Sequence, residues 1–159
     1  MYSNWCEWRG NNCIKFRSSL PERVKGLIID SVADIYLESD IQYFIDERKQ
    51  KTPEQINFWK EAQGEDWEDV IREDTEIVMN MKTRDQYFKG KLNQIKCPVL
   101  FIGSLNDEFI SNIGESMMRM TSQIEDSRLV LLNKGGHPAI WTCSDEFRQM
   151  TNMFINNLG

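Results

Sequence analysis

The stretch IKCPVLFIGSLNDEFIS, residues 95–111, runs from an apolar segment into a polar loop. Its apolar part, CPVLFIG at residues 97–103, is continuous rather than alternating, which is typical of a strand covered on both faces in a parallel sheet. Two further runs share this character: VKGLIIDSV at residues 24–32 and RLVLL at residues 128–132. Because helical patterns separate the three runs, the sequence predicts an α/β fold with a short parallel sheet flanked by helices.

One predicted helix has residues at both ends that are typical of a helix start and a helix stop. In TPEQINFWKEAQG, Thr52 is a candidate N-cap, Pro53 suits the first helical position, Gln55 completes a capping box and Gly64 is a candidate stop. These four positions predict a helix over the residues between the threonine and the glycine.

Two later helices are predicted beside the second and third strands. Ser111 is a candidate cap for NIGESMMRMTSQI, residues 112–124, and Ser144 for the helix that ends the chain. Apolar residues recur at helical spacing in both segments, which predicts that each packs one face on the core.

A long helical segment lies between the first two strands. Residues 34–90 are charged and rich in aromatic side chains, and the segment is longer than a plain crossover between parallel strands needs. We interpret it as a helical cap insertion within a single domain of residues 1–159, because such insertions often form a lid over a site. The alternative is ordinary helices packed on the sheet.

Composition narrows the class of protein. The chain has 159 residues, of which 40% are hydrophobic, enough for one packed domain. Its net charge of -6 argues against nucleic-acid or anionic-lipid partners. No run of 18 apolar residues and no signal-peptide pattern occurs, so the sequence predicts a cytoplasmic protein that does not enter a membrane.

The four cysteines are Cys6, Cys13, Cys97 and Cys143. They form no C-x-x-C pair, and the single histidine of the chain cannot complete a histidine-rich zinc site. We therefore expect reduced thiols, mostly buried, and neither a metal nor an organic cofactor.

An acid and an imidazole follow two neighbouring strands. Asp107 comes directly after the second strand, and His137 comes after the third. Because parallel strands end at one edge of the sheet, these side chains can meet there, and the carboxylate can hold one ring nitrogen while the other acts as a base. The alternatives are a turn-forming aspartate and a surface histidine.

These segments resemble the C-terminal part of an α/β-hydrolase. IKCPVLFIGSLNDEFIS is similar to the penultimate strand and acid loop of that family, and SRLVLLNKGGHPAIWTCSDEFRQMTNMFI to its last strand, histidine loop and closing helix. The resemblance begins near Gly10 and includes SSLPERVKGLIIDSV, which is similar to the helix end and strand that follow the nucleophile. The family order of nucleophile, acid and histidine implies that Asp107 is the triad acid and His137 the base.

The nucleophile departs from the family pattern. The family places serine in G-x-S-x-G, and here the corresponding turn falls in NWCEWRGNNCIKF, residues 4–16. One register puts Cys6 at the serine position without flanking glycines, and a second register puts Glu7 there. Cys6 is the candidate nucleophile, as a thiolate activated by His137 and a helix N-terminus.

The resemblance also implies that strands which precede the nucleophile in the family are absent from this sequence. The first strand, GLIIDSV, would then be an open edge through which copies of the chain could associate. Two functions remain open. The chain is either a hydrolase of a small-molecule ester, amide or similar acyl bond, or a truncated, inactive remnant that acts as a binding or self-associating module.

Overall fold

The computed structural model describes residues 24–80 and 91–158. Within these, residues 24–35 and 91–158 form one compact unit, and residues 36–80 form a second. In chain order the elements are β1 (Leu27–Asp30), α1 (Glu38–Gln50), α2 (Pro53–Gln63), α3 (Trp67–Met79), a 3₁₀ turn (Leu92–Gln94), β2 (Val99–Ser104), α4 (Ile113–Thr121), β3 (Ser127–Leu132), α5 (Ala139–Thr142) and α6 (Ser144–Asn156).

The three described strands form a parallel sheet in the order β1-β2-β3, which confirms the predicted fold class. Leu100 of β2 lies opposite Ile28 of β1 and Arg128 of β3. Every residue of β2 is buried, whereas β1 and β3 are mostly half-buried. The expectation of full burial on both faces is therefore right for β2 and wrong for the two strands that flank it.

The two faces of β2 contact different helices. Gly103 faces α4, where a Cβ atom on the glycine would lie 2.9 Å from the Sδ of Met117, so the glycine permits close packing of the helix. Side chains alternate between the faces of a strand. The opposite face carries a cluster made of Leu100, Ile102, Ala139, Phe147 and Phe154.

The predicted start and stop of α2 are confirmed. Thr52 Oγ1 accepts a hydrogen bond from the backbone N–H of Gln55 at 3.3 Å, and Gln55 Oε1 accepts one from the N–H of Thr52 at 2.9 Å. Pro53 is the first helical residue, and Gly64 ends the helix at a φ of 89°. The reciprocal hydrogen bonds are those of a capping box.

The two predicted serine caps are wrong. Helix α4 has Asn112 as its N-cap instead of Ser111, and α6 begins at Ser144 with Cys143 as its N-cap. Residues 111 and 112 lie in a turn, so the first helical residue of α4 is Ile113 and the cap position falls on Asn112. Cys143 is both the C-cap of α5 and the N-cap of α6. Ser144 is therefore already the first helical residue and cannot occupy the cap position.

The second unit consists of α1, α2 and α3. Helix α3 packs against both α1 and α2. Arg48 Nη2 of α1 lies 2.5 Å from Asp74 Oδ2 of α3, and the rings of Trp59 and Trp67 stack with centroids 5.7 Å apart. A helical segment is therefore present, while its role as a cap over a site stays a prediction.

Within residues 24–80 and 91–158, no helix combines the length and apolar character that crossing a membrane requires. In the same part of the chain, β1 bonds to β2 on one side. Self-association through its other side stays a prediction, which sedimentation at high protein concentration would test.

Candidate functional site

The side chains of Asp107 and His137 meet at the carboxyl edge of the sheet. Asp107 Oδ2 lies 2.8 Å from His137 Nδ1. The aspartate side chain is fully buried, and the imidazole is 10% exposed. The loops that carry them follow β2 and β3, which are neighbours in the sheet. The contact predicted from the order of strands is therefore present.

The second oxygen of Asp107 is held by backbone. Its Oδ1 accepts hydrogen bonds from the N–H groups of Phe109 and Ile110, both at 2.9 Å. A carboxylate bound in this way cannot rotate without losing two bonds. The β2–α4 loop (residues 105–112) thus aims Oδ2 at the imidazole.

Ser104 joins the two loops beneath this contact. Its hydroxyl donates to the carbonyl oxygen of Lys134 at 2.9 Å and accepts from the N–H of Asn106 at 3.0 Å. Ser104 is fully buried at the end of β2. It therefore ties the β3–α5 loop (residues 133–138) to the loop that carries the acid.

Two neighbours of the acid also contact His137. Glu108 Oε2 accepts a hydrogen bond from the backbone N–H of His137 at 3.0 Å. The ring of Phe109 lies 5.0 Å from the imidazole, centroid to centroid, with 43° between the planes. The acid loop thus contacts the histidine through three consecutive residues.

Thr142, the last residue of α5, bonds to the β3–α5 loop that carries His137 (the histidine loop). Its Oγ1 accepts from the N–H of Gly136 at 3.0 Å and lies within hydrogen-bond distance of the carbonyl oxygens of Gly136 and Pro138. The Sγ of Cys143 donates to the carbonyl of Lys134 at 3.2 Å. The peptide bond between His137 and Pro138 is cis.

Replacing Gly135 by alanine should lower the free energy of unfolding by about 2–4 kcal/mol, because overpacking and left-handed strain act together. The φ of Gly135 is +76°, and an added Cβ would overlap the Sγ of Cys143 and lie 2.9 Å from Thr142 Oγ1. Urea unfolding of the two proteins measures the difference.

The matched control for this change is Gly114→Ala in α4. There an added Cβ would lie 3.1 Å from a methyl group of Leu105, which is exposed and can move. Alanine in a helix should leave stability unchanged or raise it by up to about 1 kcal/mol. Equal losses in the two variants would contradict the strain assigned to Gly135.

A second carboxylate approaches the site from β1. Asp30 is buried at the end of that strand. Burial raises the pKa of Asp30 above its ordinary value, while the N–H of Ile140, the hydroxyl of Ser31 and the charge of His137 partly oppose this rise. Asp30 Oδ2 accepts a hydrogen bond at 2.9 Å from the N–H of Ile140, three residues after His137.

The predicted nucleophile, Cys6, lies outside the described residues. The structure brings Asp107 and His137 together and is silent on the third predicted group. Among the described cysteines, Cys97 and Cys143 are buried free thiols.

Sequence reasoning missed several residues that hold the two loops together: Asp30, Ser31, Ser104, Glu108 and Thr142. One signal was available, since a carboxylate that ends the apolar run LIID is unusual in a buried strand. The others bind backbone groups distant in sequence, and a single sequence does not reveal such partners.

No protein-family model and no curated protein sequence matches the chain. Three similar solved structures are a meta-cleavage product hydrolase from Pseudomonas fluorescens (14% identity, 96% of this chain, TM-score 0.66), an esterase from Thermogutta terrifontis (15%, 92%, 0.56) and an esterase from Exiguobacterium antarcticum (18%, 94%, 0.56).

The chain spans only 61–63% of the length of these three structures. At such low identity the likeness shows the fold alone. The parallel order of the strands and the flanking helices agree with it. The chain therefore has a partial α/β-hydrolase fold.

Proposed function

We propose that the protein hydrolyses a small-molecule ester, amide or similar acyl bond through a nucleophile, His137 and Asp107. The observation that carries this proposal is the 2.8 Å contact between Asp107 Oδ2 and His137 Nδ1. It lies beyond the carboxyl ends of adjacent parallel strands, where open α/β sheets bind their ligands.

The acid sets the tautomer of the base. A carboxylate that accepts from Nδ1–H keeps the proton of the neutral ring on Nδ1 and makes Nε2 the basic nitrogen. Nε2 then removes the proton of the nucleophile as it attacks and returns that proton to the leaving group. The backbone bonds to Asp107 hold this geometry in advance of the reaction.

The nucleophile in this proposal is Cys6. Its thiol proton passes to Nε2 of His137, and the sulfur bonds to the carbonyl carbon of the substrate. The bond to the leaving alcohol or amine breaks as that group takes the proton, which leaves a thioester. Water, deprotonated by Nε2, then attacks the thioester and releases the acid and the thiol.

A reducing compartment suits this chemistry, since the proposed nucleophile acts only as a free thiol. We therefore propose a cytoplasmic setting. Two of the three similar solved structures named above are esterases, which makes short activated esters the first substrates to test.

The test is the release of p-nitrophenol from p-nitrophenyl acetate and butyrate by the purified chain. We expect saturable turnover with an initial burst of one product per chain, lost after treatment with iodoacetamide. Cys6→Ala should abolish the burst, whereas the matched variant Cys13→Ala should keep it. Release at the rate of buffer alone would contradict the hydrolase proposal, and a burst that persists in Cys6→Ala would reject that cysteine as nucleophile.

A further inference from the structure

Two residues at the end of β1 bind the backbone that follows the histidine. Asp30 Oδ2 accepts from the N–H of Ile140 at 2.9 Å, and Ser31 Oγ accepts from the N–H of Ala139 at 3.1 Å. The Ser31 hydroxyl also donates to Asp30 Oδ1 at 2.9 Å. Asp30 and Ser31 are 8% and 4% exposed, so both are screened from water.

The backbone of Ser31 is unusual for a residue with a side chain. Its φ is 47°, in the left-handed region that favours glycine. The N–H of Ser31 still donates to the carbonyl of Ile102 at 3.0 Å, so the residue keeps a bond to β2 while its side chain turns toward Ala139. Strain of this kind persists where surrounding contacts fix the conformation, and such residues cluster at functional sites.

The geometry points to a clamp, formed by Asp30 and Ser31, that positions His137 for its contact with Asp107. Ala139 and Ile140 are the second and third residues after the histidine, so bonds to their N–H groups fix the backbone on its C-terminal side. Glu108 fixes the N–H of His137 itself. Asp30 and Ser31 are thus positioning residues that act through the backbone.

The clamp reaches the site from a different strand than the acid does. Asp107 follows β2, whereas Asp30 ends β1, and the histidine loop follows β3. The histidine loop is therefore bound by groups from β1 and from the loop after β2, the two other strands of the described sheet. A role for the clamp in catalysis rests on the proposed function. The positioning of the imidazole by the clamp does not depend on that function.

The single histidine of the chain makes the test direct. The ¹⁵N and ¹H signals of one imidazole report the tautomer and the hydrogen bond from Nδ1. We would record them for the wild type, Asp30→Ala, Asp30→Asn and Ser31→Ala at neutral pH, together with the hydrogen exchange of the Ala139 and Ile140 amides.

In Asp30→Ala we expect the Nδ1–H signal to be lost or broadened, a mixed tautomer pattern and exchange of the Ile140 amide at least tenfold faster. Asp30→Asn keeps a carbonyl acceptor for that amide and should stay close to the wild-type pattern. In Ser31→Ala, the Ala139 amide should exchange about tenfold faster with a partial change of tautomer.

The matched control is Asp34→Ala. Asp34 is also buried, but it binds Ser116 and Arg119 of α4 rather than the histidine loop. Its removal should lower stability and leave the imidazole signals unchanged. A control that alters the imidazole as much as the clamp variants would overturn the proposal, since the effect would then be general loosening.

Imidazole signals that stay unchanged in Asp30→Ala would also overturn the clamp. If that variant does not fold, Ser31→Ala is the deciding variant, because it removes only one hydroxyl group from the clamp. Unchanged imidazole signals in Ser31→Ala would also overturn the proposal. None of these signals requires turnover. A chain without esterase activity but with the expected signals would reject the hydrolase proposal and leave the clamp supported.

Discussion

Replacing His137 by glutamine should lower kcat/KM toward p-nitrophenyl esters by about 10⁶-fold, the loss typical when a triad base is removed. The chain contains one histidine, so no second imidazole can substitute as the base. Glutamine keeps the backbone N–H that donates to Glu108, so the loop should remain in place. Initial rates at subsaturating ester measure the effect.

The control for this variant is Lys134→Gln in the same loop. The side chain of Lys134 is exposed and pairs with Glu146, while the loop contacts use its backbone carbonyl, which the substitution retains. Its kcat/KM should stay within about twofold of wild type, as expected for an exposed ion pair away from the chemistry. Activity of His137→Gln within tenfold of wild type would exclude the histidine as general base.

The second large effect is expected for Asp107→Asn, which should lower kcat by about 10⁴-fold. An amide nitrogen facing Nδ1 donates where the carboxylate accepted, so the ring proton moves to Nε2 and that nitrogen can no longer act as a base. The amide oxygen can still accept from the N–H groups of Phe109 and Ile110, so the loop should stay folded.

Two measurements separate loss of chemistry from loss of structure in this variant. Urea unfolding should show a small change in stability, and the ¹⁵N signals of His137 should show a proton on Nε2 instead of Nδ1. Asp145→Asn, which affects an exposed pair with Arg148, serves as the matched control and should leave kcat unchanged. An Asp107→Asn protein with unchanged kcat would remove the acid from the proposed mechanism.

The meeting of Asp107 and His137 could be predicted because it follows from topology. Parallel strands end at one edge, and β2 and β3 are neighbours, so their following loops must lie close together. Helix α2 was equally predictable, because its start depends on Thr52, Pro53 and Gln55, which are adjacent in the sequence.

The rest of the site depends on contacts between distant segments. Ser31 binds a backbone amide 108 residues away, and Asp30 binds one 110 residues away. Such partners are backbone groups, which every residue carries, so no residue type marks them. The failed prediction at Ser111 is a shift of one residue, since residues 111 and 112 lie in a turn and the helix begins at Ile113.

The burial of Asp30 links folding to the uptake of protons. Its pKa in the folded chain lies above the ordinary value of 3.8, so between these two values the native state binds a proton that the unfolded state has released. Its contribution to stability is complete in stronger acid and is lost as the pH rises through the raised pKa. Glu146, whose pKa is lowered by Lys134, has the opposite sign and loses its contribution on acidification. Asp30 orders the histidine loop, but its carboxyl group lowers the stability of the native state as the pH rises toward 7. An uncharged hydrogen-bond acceptor at this position would not have that cost.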